Sequence, residues 1–126
     1  MAKLKATPKN FEQALLVLGL RDSIRLGNNT YLEVTAKDRD LVTEISVRLH
    51  STYIVRFYQD GRVTLHTGGY HTVTTKERIN HFITGRVWQK DYSWFYNPPI
   101  RRDEFNNVIP ESVPTKTFAE GIEVGR

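Results

Sequence analysis

Cysteine is absent from the 126 residues, which excludes disulfides, thiolate metal sites and thiol redox chemistry and suits a cytosolic setting better than a secreted one. No apolar run approaches the length of a membrane span. The opening MAKLKATPKNFEQALLVLGLRDS sets lysines before the run Ala14 to Leu20. That run is short, keeps helical spacing and has no small-residue cleavage site behind it, so it reads as a helix and not as a signal peptide. Missing too are GxxxxGK[ST], GxGxxG and HExxH, and the RNP, KH and helix-turn-helix signatures. Phosphate loops, zinc-hydrolase chemistry and sequence-specific nucleic-acid readout therefore have no support, and no cofactor or metal is expected.

What is present centres on one stretch, Ile45 to Gly69. Ile45, Val47, Leu49, Tyr53, Val55 and Phe57 alternate with polar residues including Ser46, Arg48, His50, Thr52 and Arg56, the period of a strand with one buried face. A two-residue Asp60-Gly61 turn would set Arg56 opposite Leu65 and mix the faces. A three-residue loop, Gln59-Asp60-Gly61, with Gly61 in the left-handed region, instead pairs Phe57 with Val63, Val55 with Leu65 and Tyr53 with Thr67. The same register places Tyr58 opposite Arg62, Arg56 opposite Thr64 and Ile54 opposite His66 on the outer face.

Before the hairpin, Thr7 as N-cap with Pro8 in the first turn predicts a helix whose face is Phe11, Ala14, Leu15 and Leu18, stopping at Gly19. Ser23 to Thr35 reads as two strands around Gly27-Asn28-Asn29, with Ile24, Leu26, Leu32 and Val34 inward, and Ala36 to Asp40 as a turn. After the hairpin, Thr74 and Glu77 form a capping box for a second helix with Ile79, Phe82 and Ile83 on its apolar face and Gly85 at its end. Arg86 to Tyr96 predicts two short strands round Lys90-Asp91, with more aromatics than one strand face buries, so one or two face outward. From Asn97 the composition shifts, with Pro98, Pro99, Pro110 and Pro114 and no periodic run. The expectation is an α+β fold: a twisted antiparallel sheet of about five to seven strands carrying two helices, a domain over residues 1–96 and an extended or partly disordered Pro-rich arm over 97–126. Ile100, Phe105, Val108, Ile109, Phe118 and Ile122 give the arm apolar contacts for its own domain or for a second subunit.

The first 96 residues hold fourteen Lys and Arg against nine Asp and Glu, a net of +5, while the arm is slightly acidic. A basic domain attracts nucleic acid or an acidic protein patch. The binding candidates are Arg48, Arg56, Arg62, Lys76 and Arg78 for charge, with Tyr58 and His66 for contact area. Polar residues on a solvated strand face are equally what packing alone would select. The catalytic alternative rests on His50 and His66, each near a hydroxyl, as the acid and base of a metal-independent phosphodiesterase or nuclease. His71 and His81 are the remaining histidines, and strands supply no diagnostic spacing for a metal site.

The segments LGNNTYLEV, VRLHSTYIVRFYQDGRVTLHTGGYHTVTTKERINHFI and RVWQKDYSWFY resemble a group of small bacteriophage proteins without an established activity. The resemblance covers about Leu26 to Tyr96 and leaves out the first helix and the arm. It implies a phage genomic context and assigns no catalytic residue, and the expected location is the host cytoplasm. The expected function is a non-enzymatic accessory protein that binds nucleic acid or a nucleic-acid-associated host protein, as an inhibitor of host defence for example, through the basic sheet face. A structural or assembly protein that oligomerises through the arm is a further alternative.

Overall fold

A computed structural model of the chain describes residues 3–99, 103–107 and 115–124. The first helix, α1, spans Phe11–Leu18 and starts later than the Pro8 signal suggests. Asn10 caps it, accepting the Gln13 N–H at 2.8 Å, while the Gln13 side chain accepts the Lys9 N–H at 2.9 Å. That reciprocal pair satisfies two otherwise unpaired donors, which Thr7 has no partner to do. Residues before it are used differently: Lys5 N–H donates to the Leu26 carbonyl at 2.8 Å. Phe11, Ala14 and Leu18 are buried, whereas Leu15 is 39% exposed and lies off the packed stripe.

Five strands follow as a meander, β1 (Ser23–Gly27), β2 (Thr30–Asp38), β3 (Leu41–Leu49), β4 (Thr52–Tyr58) and β5 (Val63–Leu65), each antiparallel to the one before. The turn placed over Ala36 to Asp40 tightens to Arg39-Asp40, because β2 runs on to Asp38 through irregular register at Ala36. The β4–β5 loop matches the expectation: Val55 pairs with Leu65, Arg56 with Thr64 and Phe57 with Val63. Gly61 sits at φ 97°, and its N–H donates to the Tyr58 carbonyl at 3.0 Å.

The stretch expected to be one strand, Ile45 to Phe57, is two. Leu49 pairs with Thr52 across a two-residue turn at His50-Ser51, which reverses the parity of the faces, and the register slips between Val47 and Arg48 opposite Ile54. The extra residue reverses the parity back. Period-two alternation thus survives from Ile45 to Phe57 although the chain turns in the middle of it. The local outcome corrects two placements: Ile54, expected outside, is 1% exposed in the core, and Tyr53, expected inside, lies outside with its hydroxyl 2.9 Å from Glu33 Oε1.

The second helix, α2, spans Val73–His81. Its cap is Thr72, two residues before the expected Thr74, and the Thr72 hydroxyl accepts the Thr75 N–H at 3.1 Å. Glu77 is thereby moved beyond capping reach and pairs with Arg78 at 3.2 Å. Ile79, Phe82 and Ile83 are all buried as expected. The helix stops at His81, so Gly85 does not end it. Gly85 matters for close approach, because a Cβ there would fall 2.6 Å from Tyr96 Oη and nearer still to the Asn97 carbonyl oxygen.

A smaller sheet is built from β6 (Arg86–Lys90), β7 (Ser93–Asn97) and β8 (Lys116–Thr117), with β7 in the centre. Its first turn is at Asp91-Tyr92, both at positive φ as a type I′ hairpin requires, one residue later than expected. Val87, Trp94 and Tyr96 turn inward, Trp88 stacks on Phe95 at 4.8 Å on the other face, and Tyr92 is exposed. The last strand, β9 (Ile122–Val124), pairs with β5 and gives the large sheet the order β1-β2-β3-β4-β5-β9. Residues 116–124 of the presumed arm therefore complete both sheets, and Phe118 packs on Trp94 at 5.5 Å. Phe105 is exposed, while Ile100, Val108, Ile109, Pro110 and Pro114 lie outside the described residues.

One core unites these parts. Leu32, Ile45, Val47, Val55, Phe57 and Leu65 on the inner face of the large sheet pack with Ala14 and Leu18 of α1 and Ile79 of α2, all without solvent exposure. Each buried Leu, Ile or Phe side chain contributes about 1.5–3 kcal/mol. The opposite face of the sheet carries the polar partners of these residues.

Candidate interaction face

On that opposite face, alternation brings Tyr31 and Glu33 of β2, Glu44, Ser46 and Arg48 of β3, Tyr53, Arg56 and Tyr58 of β4, and Thr64 of β5 to one side. Three arginines form a repeated unit there. The Arg48 guanidinium lies 4.5 Å from the Tyr31 ring centre and 3.0 Å from Glu33. Arg56 lies 5.2 Å from the Tyr53 ring and 3.2 Å from Glu44. Arg62 lies 4.4 Å from the Tyr58 ring and 2.8 Å from Asp60. Each cation thus has a ring beneath it and a carboxylate beside it, which fixes its side chain and neutralises its charge.

The units are linked. Glu33 accepts from both Arg48 and Tyr53, so the hydrogen bond from Arg48 first, and that from Tyr53 after it, hold its carboxyl below the ordinary range against the opposing effect of burial. Donation to Glu33 raises the Tyr53 phenol in turn. The Tyr58 hydroxyl is 3.3 Å from Thr64 Oγ1, which is 3.1 Å from His66 Nε2. Burial, and then the nearby Arg56, push the His66 imidazole below its usual value and keep it neutral at pH 7.

Of the seven binding residues expected from sequence, Arg48, Arg56, Tyr58, Arg62 and His66 meet on this face. Lys76 and Arg78 do not. Lys76 lies 5.9 Å from the Trp94 ring, by the small sheet. Arg78 is 6% exposed, donating from Nε to Thr30 Oγ1 at 3.0 Å on the helix side of the sheet. The histidines are dispersed: His50 occupies the β3–β4 turn and lines a cavity that does not include His66, His71 packs on Trp94 at 4.9 Å, and His81 is 3.8 Å from Glu77. Among the described residues, no group of three or more His, Asp or Glu is placed to hold a metal ion.

Sequence reading overlooked Tyr31, Glu33 and Glu44. The signal was available in β2, where Tyr31 and Glu33 alternate with the inward Leu32, but the partners of Arg48 and Arg56 become visible only once the strand pairing is known.

Near the face, Glu120 closes the chain's last segment onto the end of β5. One carboxylate oxygen accepts the Thr67 and Gly68 N–H groups at 2.8 and 2.9 Å, and the other accepts the Thr67 hydroxyl at 2.8 Å. Burial alone would raise this carboxyl, yet these bonds together lower it. Acid is therefore expected to destabilise the fold in two stages. The folded pKa of His66 lies below 6.5, so the unfolded chain binds the extra proton first, and stability falls as pH drops from about 6.5 towards the folded value. Glu33 and Glu120 contribute stability that is present above about pH 4.5 and is lost as pH falls through their lowered folded values. Urea midpoints measured against pH check this, and the first stage should vanish in His66→Gln.

Fold and face define a small α+β domain with one sheet surface left uncovered by helices, its cations pre-paired and stacked. The chain belongs to the Kyanoviridae Gp96 protein family, a family of phage proteins whose model matches residues 8–124. That match takes in α1, β8 and β9, so the kinship extends beyond the Leu26 to Tyr96 stretch in which it was read. No match is found among curated proteins or among solved structures. No helix among the described residues is long and apolar enough to cross a membrane.

Proposed function

We propose that the protein is a non-enzymatic phage accessory protein that binds a host protein through the outer face of the six-stranded sheet. The observation that carries this reading is the arginine ladder, in which every cation already has a tyrosine ring and a carboxylate. Binding to a phosphate backbone draws its affinity from free cations that release counterions. Here a phosphate would have to displace Glu33, Glu44 or Asp60 from its arginine, which favours a protein surface over a nucleic acid as the partner. Tyr and Arg are the residue types enriched at the centres of protein interfaces, and side chains held in place beforehand lose less entropy on binding. Action in the host cytoplasm, on a defence or nucleic-acid-processing complex, would then follow from occupancy and not from turnover.

Affinity capture from host lysate tests this, with and without nuclease and across a salt series. A discrete host protein should remain bound after nuclease treatment. Arg56→Ala and Tyr58→Ala should each weaken its binding by about 30-fold while changing stability by less than about 1 kcal/mol. Retention only of nucleic acid, or of material lost with nuclease, would move the reading to the nucleic-acid alternative. Equal capture by wild type and both variants would remove the face from the function.

A further inference from the structure

On the helix side of the sheet, a cavity of about 440 Å³ opens between the β3–β4 turn and the start of α2. Its volume lies within the range of small-molecule sites. Its apolar wall is Leu49 and Ile54, 5% and 1% exposed. Around them stand hydroxyls from Ser51, Thr52, Thr67, Thr72, Thr74 and Thr75, and two flat rings, those of His50 and Tyr70. Among the described residues, none of the lining side chains carries a permanent charge, in a chain where a quarter of the residues do.

Several of these groups are already committed. Thr72 and Thr75 hydroxyls bond each other at 3.0 Å, and Thr67 is held by Glu120. By contrast, the Ser51 and Thr74 hydroxyls, the Tyr70 phenol and the His50 imidazole make no hydrogen bond among the described residues. The backbones of His50 and Tyr70 are held nonetheless. His50, at φ 54°, donates its N–H to the Asn29 carbonyl at 2.8 Å, and its own carbonyl accepts from Arg48. Tyr70 donates its N–H to Thr67 and accepts from Thr72, both at 3.0 Å. The site is therefore a cleft with a held backbone at His50 and Tyr70, donors and acceptors without partners among the described residues, two rings and an apolar wall.

We infer that this cavity binds a single unstacked nucleobase, taken either from a free nucleoside or from a single strand. A base has two apolar π-faces suited to Tyr70, His50 and the Leu49–Ile54 wall, and its edge alternates donors and acceptors that hydroxyls match in either sense. The neutral lining among the described residues makes the base, and not a phosphate, the recognised part. The inference is independent of the sheet-face reading, because the cavity shares no residue with the arginine ladder.

The test is a titration with adenosine, guanosine, cytidine, uridine and thymidine, and in parallel with single-stranded homopolymers, followed by calorimetry and saturation-transfer NMR. At least one base should bind saturably, about tenfold or more weaker in Tyr70→Ala and abolished in Thr74→Trp, which fills the cleft. Tyr70 is 62% exposed, so its truncation leaves the fold intact. Binding of free nucleosides identifies the first source, and binding of homopolymers alone identifies the second. Arg56→Ala should leave this binding unchanged. No binding of either ligand set, or undiminished affinity in Tyr70→Ala and Thr74→Trp, would overturn the inference.

Discussion

Replacing Gly85 with alanine is expected to lower stability by about 3 kcal/mol, seen as a fall in Tm of about 10 °C or more. The effect does not come from backbone freedom, since Gly85 is not among the positive-φ glycines. It comes from the neighbours. The added methyl would meet the Asn97 carbonyl and lie 2.6 Å from the Tyr96 hydroxyl. Neither can withdraw cheaply. Asn97 is paired with Arg86 in the small sheet, and Tyr96 is 1% exposed in the core. Relieving the clash means lifting β7 from the loop after α2, so both the sheet pairing and the Ile83–Val87 part of the core are disturbed. A Tm within a degree or two of wild type would show that the loop moves freely there.

Glu120→Ala is expected to cost about 2 kcal/mol, and Glu120→Gln about half of that. Alanine strips three charge-assisted bonds and leaves Thr67, which is without solvent exposure, with a donor N–H unpaired. Glutamine keeps an oxygen for the two N–H groups and loses chiefly the charge. The damage should be local as well as global. Hydrogen exchange should quicken in Val63 to Leu65 and in Ile122 to Val124, the paired strands that the carboxylate pins, and far less in β2 and β3. Wild-type stability in Glu120→Gln would mean that the charge of Glu120 adds nothing, and equal stability of the two variants that the charge carries the whole effect.

Much of the architecture was legible because burial imposes periodicity. Leu32, Val55, Phe57 and Leu65 declared their faces, and Gly61 declared the β4–β5 loop. The His50-Ser51 turn was hidden because a parity change at the turn is cancelled by the extra residue at Ile54, so the pattern along the chain reads as unbroken. Both caps were misplaced for a local reason: Thr7 and Thr74 are acceptable capping residues, but Asn10 with Gln13, and Thr72 with Thr75, have the partners that decide. On the charged face, alternation along single strands marks Arg48 and Arg56, and the hairpin register marks Arg62, whereas the carboxylates Glu33 and Glu44 that offset the first two lie across the sheet and depend on the strand pairing. Arg78 shows the same limit. The apolar face of α2, set by Ile79, Phe82 and Ile83, does not include it, yet Thr30 on a strand far away in sequence supplies the hydroxyl that lets a guanidinium be buried.

β9 pairs with β5 across a separation of about sixty residues, Val63 with Val124 and Leu65 with Ile122. During synthesis β1 to β5 and α2 are all available to fold before the strand that seals their sheet emerges, so the folding protein passes through a period with the β5 edge uncovered. Pairing over so long a loop is slow, and an open strand edge is a template for other chains. Yield on expression should therefore depend on how quickly the Glu120 segment finds Thr67 and Gly68, a demand on folding rate and not on the stability of the finished molecule.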